Sequence, residues 1–252
     1  MCRRQSLTMK SIMNTYVKYR KVLLKLSGES LGGESGTGLS PDMMKQYASE
    51  IAQVAACGVK VAIVIGGGNI FRGVSGVGKG FSRVKGDQMG MLATVINSLG
   101  LQMFLQSEGV EAEVFTSVPM EPMARYYAAE KAEELMGRGG VAIIAGGTGN
   151  PYFTTDSASA LRACEIGADA LLKGTRVDGV YTADPEKDPS AKRYETLTFE
   201  KALADNLRVM DQTAFAMCRE NDMPIVVFDM NRRGNLLKLV KGENIGTVLS
   251  NE

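Results

Sequence analysis

"VKVAIVIGGGN", residues 59–69, is an apolar run interrupted only by Lys60 that ends in three glycines and an asparagine. Apolar side chains on both faces of a strand mark one covered above and below, the condition inside a parallel sheet. The glycines let backbone approach a ligand closely, and N–H groups leading into a helix favour anions. A tight turn needing positive φ would use the same glycines.

The strand-then-helix unit recurs on both sides. "KVLLKLS" (21–27) reads as a first strand, followed by a glycine-rich loop. Ser40 reads as an N-cap with Pro41 at the first helical position. Met44, Tyr47, Ile51 and Val54 then recur at helical spacing, which predicts a helix over 41–57 ended by Gly58. Met89, Leu92, Ile96, Leu99 and Met103 predict a helix over roughly 88–107. Further strands are expected at 111–116, 141–145 and 168–174, with helices at about 121–137 and 156–166. A polar loop (182–192), two short helices and strands at 224–228 and 246–250 complete the pattern. The alternation predicts an α/β fold, a three-layer αβα sandwich with a mainly parallel central sheet. One domain over 19–252 is expected, preceded by a polar, basic extension at 1–18 read as disordered.

Composition narrows the chemistry. The 252 residues contain no histidine. A Ser-His-Asp triad, the usual zinc sites and an imidazole base are therefore excluded. Lys, Arg, Asp and backbone N–H groups remain, an inventory suited to phosphoryl transfer, where positioning and charge neutralisation carry most of the work. The net charge of +1 and the lack of a long apolar run give no sign of a nucleic-acid or membrane partner. Cys2, Cys57, Cys164 and Cys218 form no C-x-x-C pair and read as reduced thiols of a cytoplasmic protein.

Two stretches approach a P-loop and miss. "GVSGVGKG" (73–80) has Gly73, Gly78 and Lys79 but ends in Gly80 in place of Ser or Thr. It also follows a loop and no strand, so it reads as a lid or a surface loop. "GESGTGLS" (33–40) has Leu39 where the lysine belongs.

Ligands of open parallel sheets bind beyond the carboxyl ends of the strands. Four glycine-bearing segments are expected to converge there: "KLSGES", "GGGNIFRG", "GGTGNPYFTTD" and "KGTRVDGVYTADP". Lys25 is unusual inside an apolar strand unless its head reaches solvent or a partner. Arg72 offers a fork of donors to phosphate. Thr154 or Thr155 could cap the next helix, bind ligand, or do both. Asp156 suits a helix start, or orders Mg²⁺ or cationic side chains near phosphates. Asp87 is an early-helix acid or an acceptor for sugar hydroxyls.

These residues carry a resemblance. "KLSGESL", "VIGGGNIFRG", "GDQMGMLATVIN", "GTGNPYFTTDSA" and "KGTRVDGVYTADPEKDP" together resemble the bacterial type of uridine monophosphate kinase, of the amino-acid kinase superfamily, from about residue 19 onward. The resemblance implies ATP-dependent phosphorylation of UMP to UDP, with Mg²⁺ held mainly by the ATP phosphates and no dedicated metal ligands in the protein. It implies catalytic roles for Lys25, Asp156 and Lys173. It implies ATP contacts from Lys25, Leu26, Ser27, Gly28, Gly68, Arg72, Thr175, Tyr181 and Asp184. For UMP it implies Gly67, Asp87, Thr148, Gly149, Asn150, Pro151, Tyr152, Phe153, Thr154 and Thr155. It further implies a homohexamer, activation by GTP and inhibition by UTP. Gly33, Glu34, Ser35, Gly36, Thr37 and Gly38 correspond to the loop associated with GTP, and equally fit a flexible glycine loop. Two other readings stay open: a carboxylate or carbamate kinase of the same superfamily, and a regulatory nucleotide-binding protein without catalysis.

Overall fold

The computed structural model describes residues 16–71, 80, 82–185 and 187–252. The expectations for the 1–15 segment, for Arg72 and for most of the 73–80 loop lie outside these residues.

Nine strands form one sheet: β1 (Lys21–Leu26), β2 (Lys60–Ile65), β3 (Ala112–Thr116), β4 (Arg125–Tyr126), β5 (Val141–Ala145), β6 (Ala170–Thr175), β7 (Thr196–Thr198), β8 (Ile225–Asp229) and β9 (Thr247–Ser250). Their order is β4-β3-β5-β2-β1-β6-β8-β9-β7. Every pairing is parallel except β8 with β9. The helices are α1 (Gly28–Leu31), α2 (Pro41–Ala56), α3 (Arg83–Ser107), α4 (Ala129–Gly137), α5 (Thr155–Glu165), α6 (Phe199–Ala204), α7 (Gln212–Glu220) and α8 (Asn235–Val240).

The pleat sorts each strand into two cores. Val22, Leu24 and Leu26 pack with α2, α3 and α8 on one face, while Leu23 and Leu171 pack with α4 to α7 on the other. Alternation therefore sends Lys25 to the α4–α7 face, beyond the last apolar layer. The chain leaves β1 toward β2 on one side, and leaves the neighbouring β6 toward β7 and β8 on the other, so a topological switch point lies at the carboxyl ends of β1 and β6.

Most of the expected elements form with boundaries shifted by a few residues. Ser40 caps α2 as read, accepting the Met43 N–H at 3.4 Å. Three expectations need correction. The helix expected from 121 begins only at Ala129. Met120 and Ala124 bridge across a turn, and Arg125–Tyr126 extends the open edge of β3. That edge offers backbone partners to Arg125 and Tyr126. The helix expected from 88 starts at Arg83, where Ser82 caps it. Its apolar period is also turned about. Met89, Leu92, Ile96 and Met103 are exposed, and small residues such as Ala93, Thr94, Asn97 and Ser98 face the interior. The short elements β4, β7, α1 and α8 had no periodic signal of sufficient length to announce them.

Candidate active site

β1 and β6 are in register with Lys25 opposite Lys173. Two ammonium groups on one face of adjacent strands, 13% and 14% exposed, repel each other unless an anion lies between them. Asp156 supplies it from the first turn of α5. Its Oδ1 lies 2.7 Å from Lys25 Nζ and its Oδ2 lies 2.7 Å from Lys173 Nζ. Lys173 Nζ also donates to the Val209 carbonyl at 2.6 Å. Burial alone would raise the Asp156 pKa, but the Lys25 and Lys173 charges and their hydrogen bonds hold it below the ordinary carboxylate value. Burial, with Lys25 nearby, depresses Lys173, and Asp156 only partly offsets this. With one carboxylate against two ammonium groups, the array keeps a net positive charge facing the rim.

Thr154 begins α5. Its hydroxyl oxygen accepts the N–H groups of Asp156 and Ser157 at 3.0 and 3.2 Å and donates to Asp211 Oδ2. Thr154 is therefore the cap and Thr155 the first helical residue.

On one side of the array lies a cleft of about 610 Å³. Lys173, Thr175, Tyr181 and Asp184 line it, so three of the residues read for ATP share a wall with Lys173. The opposite wall, Asn206 to Val209, was not read from sequence. At the end of β1, Leu26 is buried, and Ser27 precedes α1 without a capping bond from its side chain. A methyl group on Gly28 would stand 2.5 Å from Asn69 Oδ1 and would strike the Gly66 carbonyl, so only glycine fits. A methyl on Gly67 would meet Ala93 Cβ and the Gly90 carbonyl of α3, each at 2.8 Å.

On the other side Asp87 and the loop before α5 meet. Asp87 Oδ2 accepts from Arg83 Nε and from the Tyr152 N–H, both at 2.8 Å. Tyr152 sits in the left-handed region (φ 73°), and the Arg83 guanidinium lies over its ring. Thr148 and Asn150 brace the loop internally, Gly149 turns it at φ 82°, and Tyr152 and Phe153 are exposed. Gly33 to Thr37 line a separate cleft of about 700 Å³ that reaches Gly68 and Arg176.

Over residues 20–229 the sequence matches the amino acid kinase family. The chain belongs to that family. Within it, the chain is 60% identical over 233 residues to uridylate kinase of Porphyromonas gingivalis, covering 92% of this chain and 98% of the relative. Uridylate kinase of Bacteroides thetaiotaomicron is 58% identical, with 93% and 99% covered. The solved UMP kinase of Bacillus anthracis superposes with a TM-score of 0.90 at 38% identity, covering 93% and 97%. That of Ureaplasma parvum gives 0.87 at 34%, covering 92% and 99%.

Two further residues of this amino acid kinase site, Asp211 and Arg83, escaped sequence reading. Asp211 caps α7 through the Ala214 N–H at 3.0 Å and accepts from Ser157 Oγ at 2.9 Å and from Thr154. "VMDQTAF" carries a capping signal at Asp211, but nothing local shows that α5 is its second partner. Arg83 precedes Asp87 by one helical turn, and that spacing is its only signal.

Proposed function

We propose that this enzyme, a nucleoside monophosphate kinase by its uridylate kinase relatives, transfers the γ-phosphoryl group of Mg·ATP to UMP, giving ADP and UDP. The observation that carries the reading is the Lys25–Asp156–Lys173 array between two sides of different chemistry. The 610 Å³ cleft suits the donor nucleotide, with Thr175, Tyr181 and Asp184 on its wall. Asp87 and Thr148 to Thr155 suit the acceptor, which offers sugar hydroxyls and a phosphate.

An oxygen of the UMP phosphate attacks the γ-phosphorus as the bond to the bridging β-oxygen breaks. That oxygen is already anionic, so no general base is needed. Lys25 and Lys173 neutralise charge on the transferring group, and Asp156 keeps both ammonium groups in place. Both Asp156 oxygens are engaged by lysines, and no group of three metal-ligating side chains occurs among the described residues. Mg²⁺ is read as entering with ATP, held mainly by its phosphates.

The assembly is read as a homohexamer. Met89, Leu92, Ile96 and Met103 of α3 form an exposed stripe stepping by three, four and seven residues, a spacing that packs against a second copy of itself. GTP activation through Gly33 to Gly38 and inhibition by UTP complete the reading, supported by a cleft that joins this loop to Gly68. A cytoplasmic location accompanies it; no described helix is long and apolar enough to cross a membrane.

ADP release from Mg·ATP, measured with UMP, CMP, AMP and N-acetylglutamate offered separately, with and without GTP, tests the proposal. Turnover confined to UMP is expected. Turnover with N-acetylglutamate alone would overturn the acceptor assignment, and ATP binding without turnover would favour a regulatory protein.

A further inference from the structure

Asn69, four residues past the end of β2, and Asn97, in the middle of α3, are 4% and 0% exposed. Their amides face each other. Asn69 Nδ2 donates to Asn97 Oδ1 at 3.0 Å, and Asn97 Nδ2 donates back to Asn69 Oδ1 at 2.8 Å. Each Nδ2 has one hydrogen left. That of Asn69 goes to the Gly38 carbonyl at 2.6 Å, and that of Asn97 to the Gly66 carbonyl at 2.7 Å. All four N–H donors are used and both amide oxygens accept, so the buried pair is fully satisfied. The Gly38 N–H returns a bond to the Asn69 carbonyl at 3.0 Å.

The network borders the phosphate rim without belonging to the lysine array. The Gly66 carbonyl held by Asn97 is the atom a Gly28 side chain would strike, and Asn69 Oδ1 is the next nearest. Gly66 in turn abuts the Gly28 backbone nitrogen, 3.3 Å from where its own methyl would lie. Two turns from different strands are thus pressed together, and α3 hydrogen-bonds to the junction through Asn97.

We propose that Asn69 and Asn97 are positioning residues for the donor phosphates, fixing the Gly28 turn against the Gly66–Gly68 turn so that their backbone N–H groups keep the spacing a polyphosphate needs. The inference rests on the donor reading of this rim. A pair that merely filled buried space would affect stability alone. A positioning pair acts on the phosphates and leaves the base cleft, bounded by Thr175 and Asn206 to Val209, as it is.

The test compares the affinities of ATP and adenosine, which share the base cleft and differ in phosphates, in the wild-type chain and in Asn97→Ala. Dissociation constants report on folded molecules only, so a lower yield of folded protein does not change them. ATP affinity should fall about tenfold, the scale of a lost buried hydrogen bond, while adenosine affinity stays within about twofold. If Asn97→Ala does not fold, Asn97→Ser, which keeps a polar group in the space but cannot reach Gly66, is read in the same way. An unchanged preference for ATP over adenosine, or equal loss of both affinities, overturns the proposal. A wild-type chain that binds ATP no tighter than adenosine would instead remove the donor reading itself.

Discussion

At the scale of single residues, the Lys25–Asp156–Lys173 array makes unequal demands on its members. Lys25→Ala should lower kcat by about 10²–10³ with the fold kept, because Asp156 retains Lys173. Asp156→Ala leaves two buried ammonium groups facing each other and should cost about 3 kcal/mol or more in a denaturant melt. If the two variants melted alike, the bridging role of Asp156 would be wrong. Burial and the Lys25 charge make Lys173 give up its proton below the ordinary lysine value. As pH rises, its positive charge is lost early, so the alkaline limb of the kcat profile should lie below the usual lysine range. An alkaline limb at the usual lysine position would mean that another group limits the rate. Lys25 and Asp156 were each legible as chemistry, one a lysine in an apolar strand and the other an acid opening a helix. Their junction with Lys173 was not, because it depends on the register of β1 with β6, strands separated by well over a hundred residues.

At the scale of elements, caps and faces govern. Thr154 holds the start of α5 and ties it to Asp211, the cap of α7. Thr154→Val should destabilise by about 1–2 kcal/mol through the lost cap, which thermal unfolding can check. The apolar stripe of α3 spans about 21 Å along the helix and contributes little to the protomer core. Leu92→Glu with Ile96→Glu should therefore reduce the assembly mass in light scattering while each protomer keeps its far-ultraviolet dichroism. An unchanged mass would place the subunit contact elsewhere. Periodicity located α3 but could not orient it. A 3.6-residue repeat says that one face is apolar, and whether that face meets its own sheet or another copy depends on what packs nearby. In α3 the small residues turn inward because Gly67 lies too close to Gly90 and Ala93 to admit larger side chains.

At the scale of the molecule, one ligand should stabilise the whole sheet, since the rim proposed to bind the donor joins β1, β2 and β6 at the switch point. A non-hydrolysable ATP analogue at a hundredfold excess over its Kd should raise Tm by about 5–10 °C, and no shift would separate the rim from nucleotide binding. By itself the sequence determined the layered α/β class, most of the strands, the cap at Ser40, and a chemistry limited to lysine, aspartate and backbone donors. Those features are local: apolar runs, helical spacing, single capping residues and the lack of imidazole. Only the tertiary structure decided that Lys25 and Lys173 share Asp156, that Asp87 meets the Tyr152 backbone, that Asn69 pairs with Asn97, and that the α3 stripe faces outward. Each of these depends on strand order, register or helix rotation, which are set by the packing of distant segments and leave no trace in the spacing of neighbours.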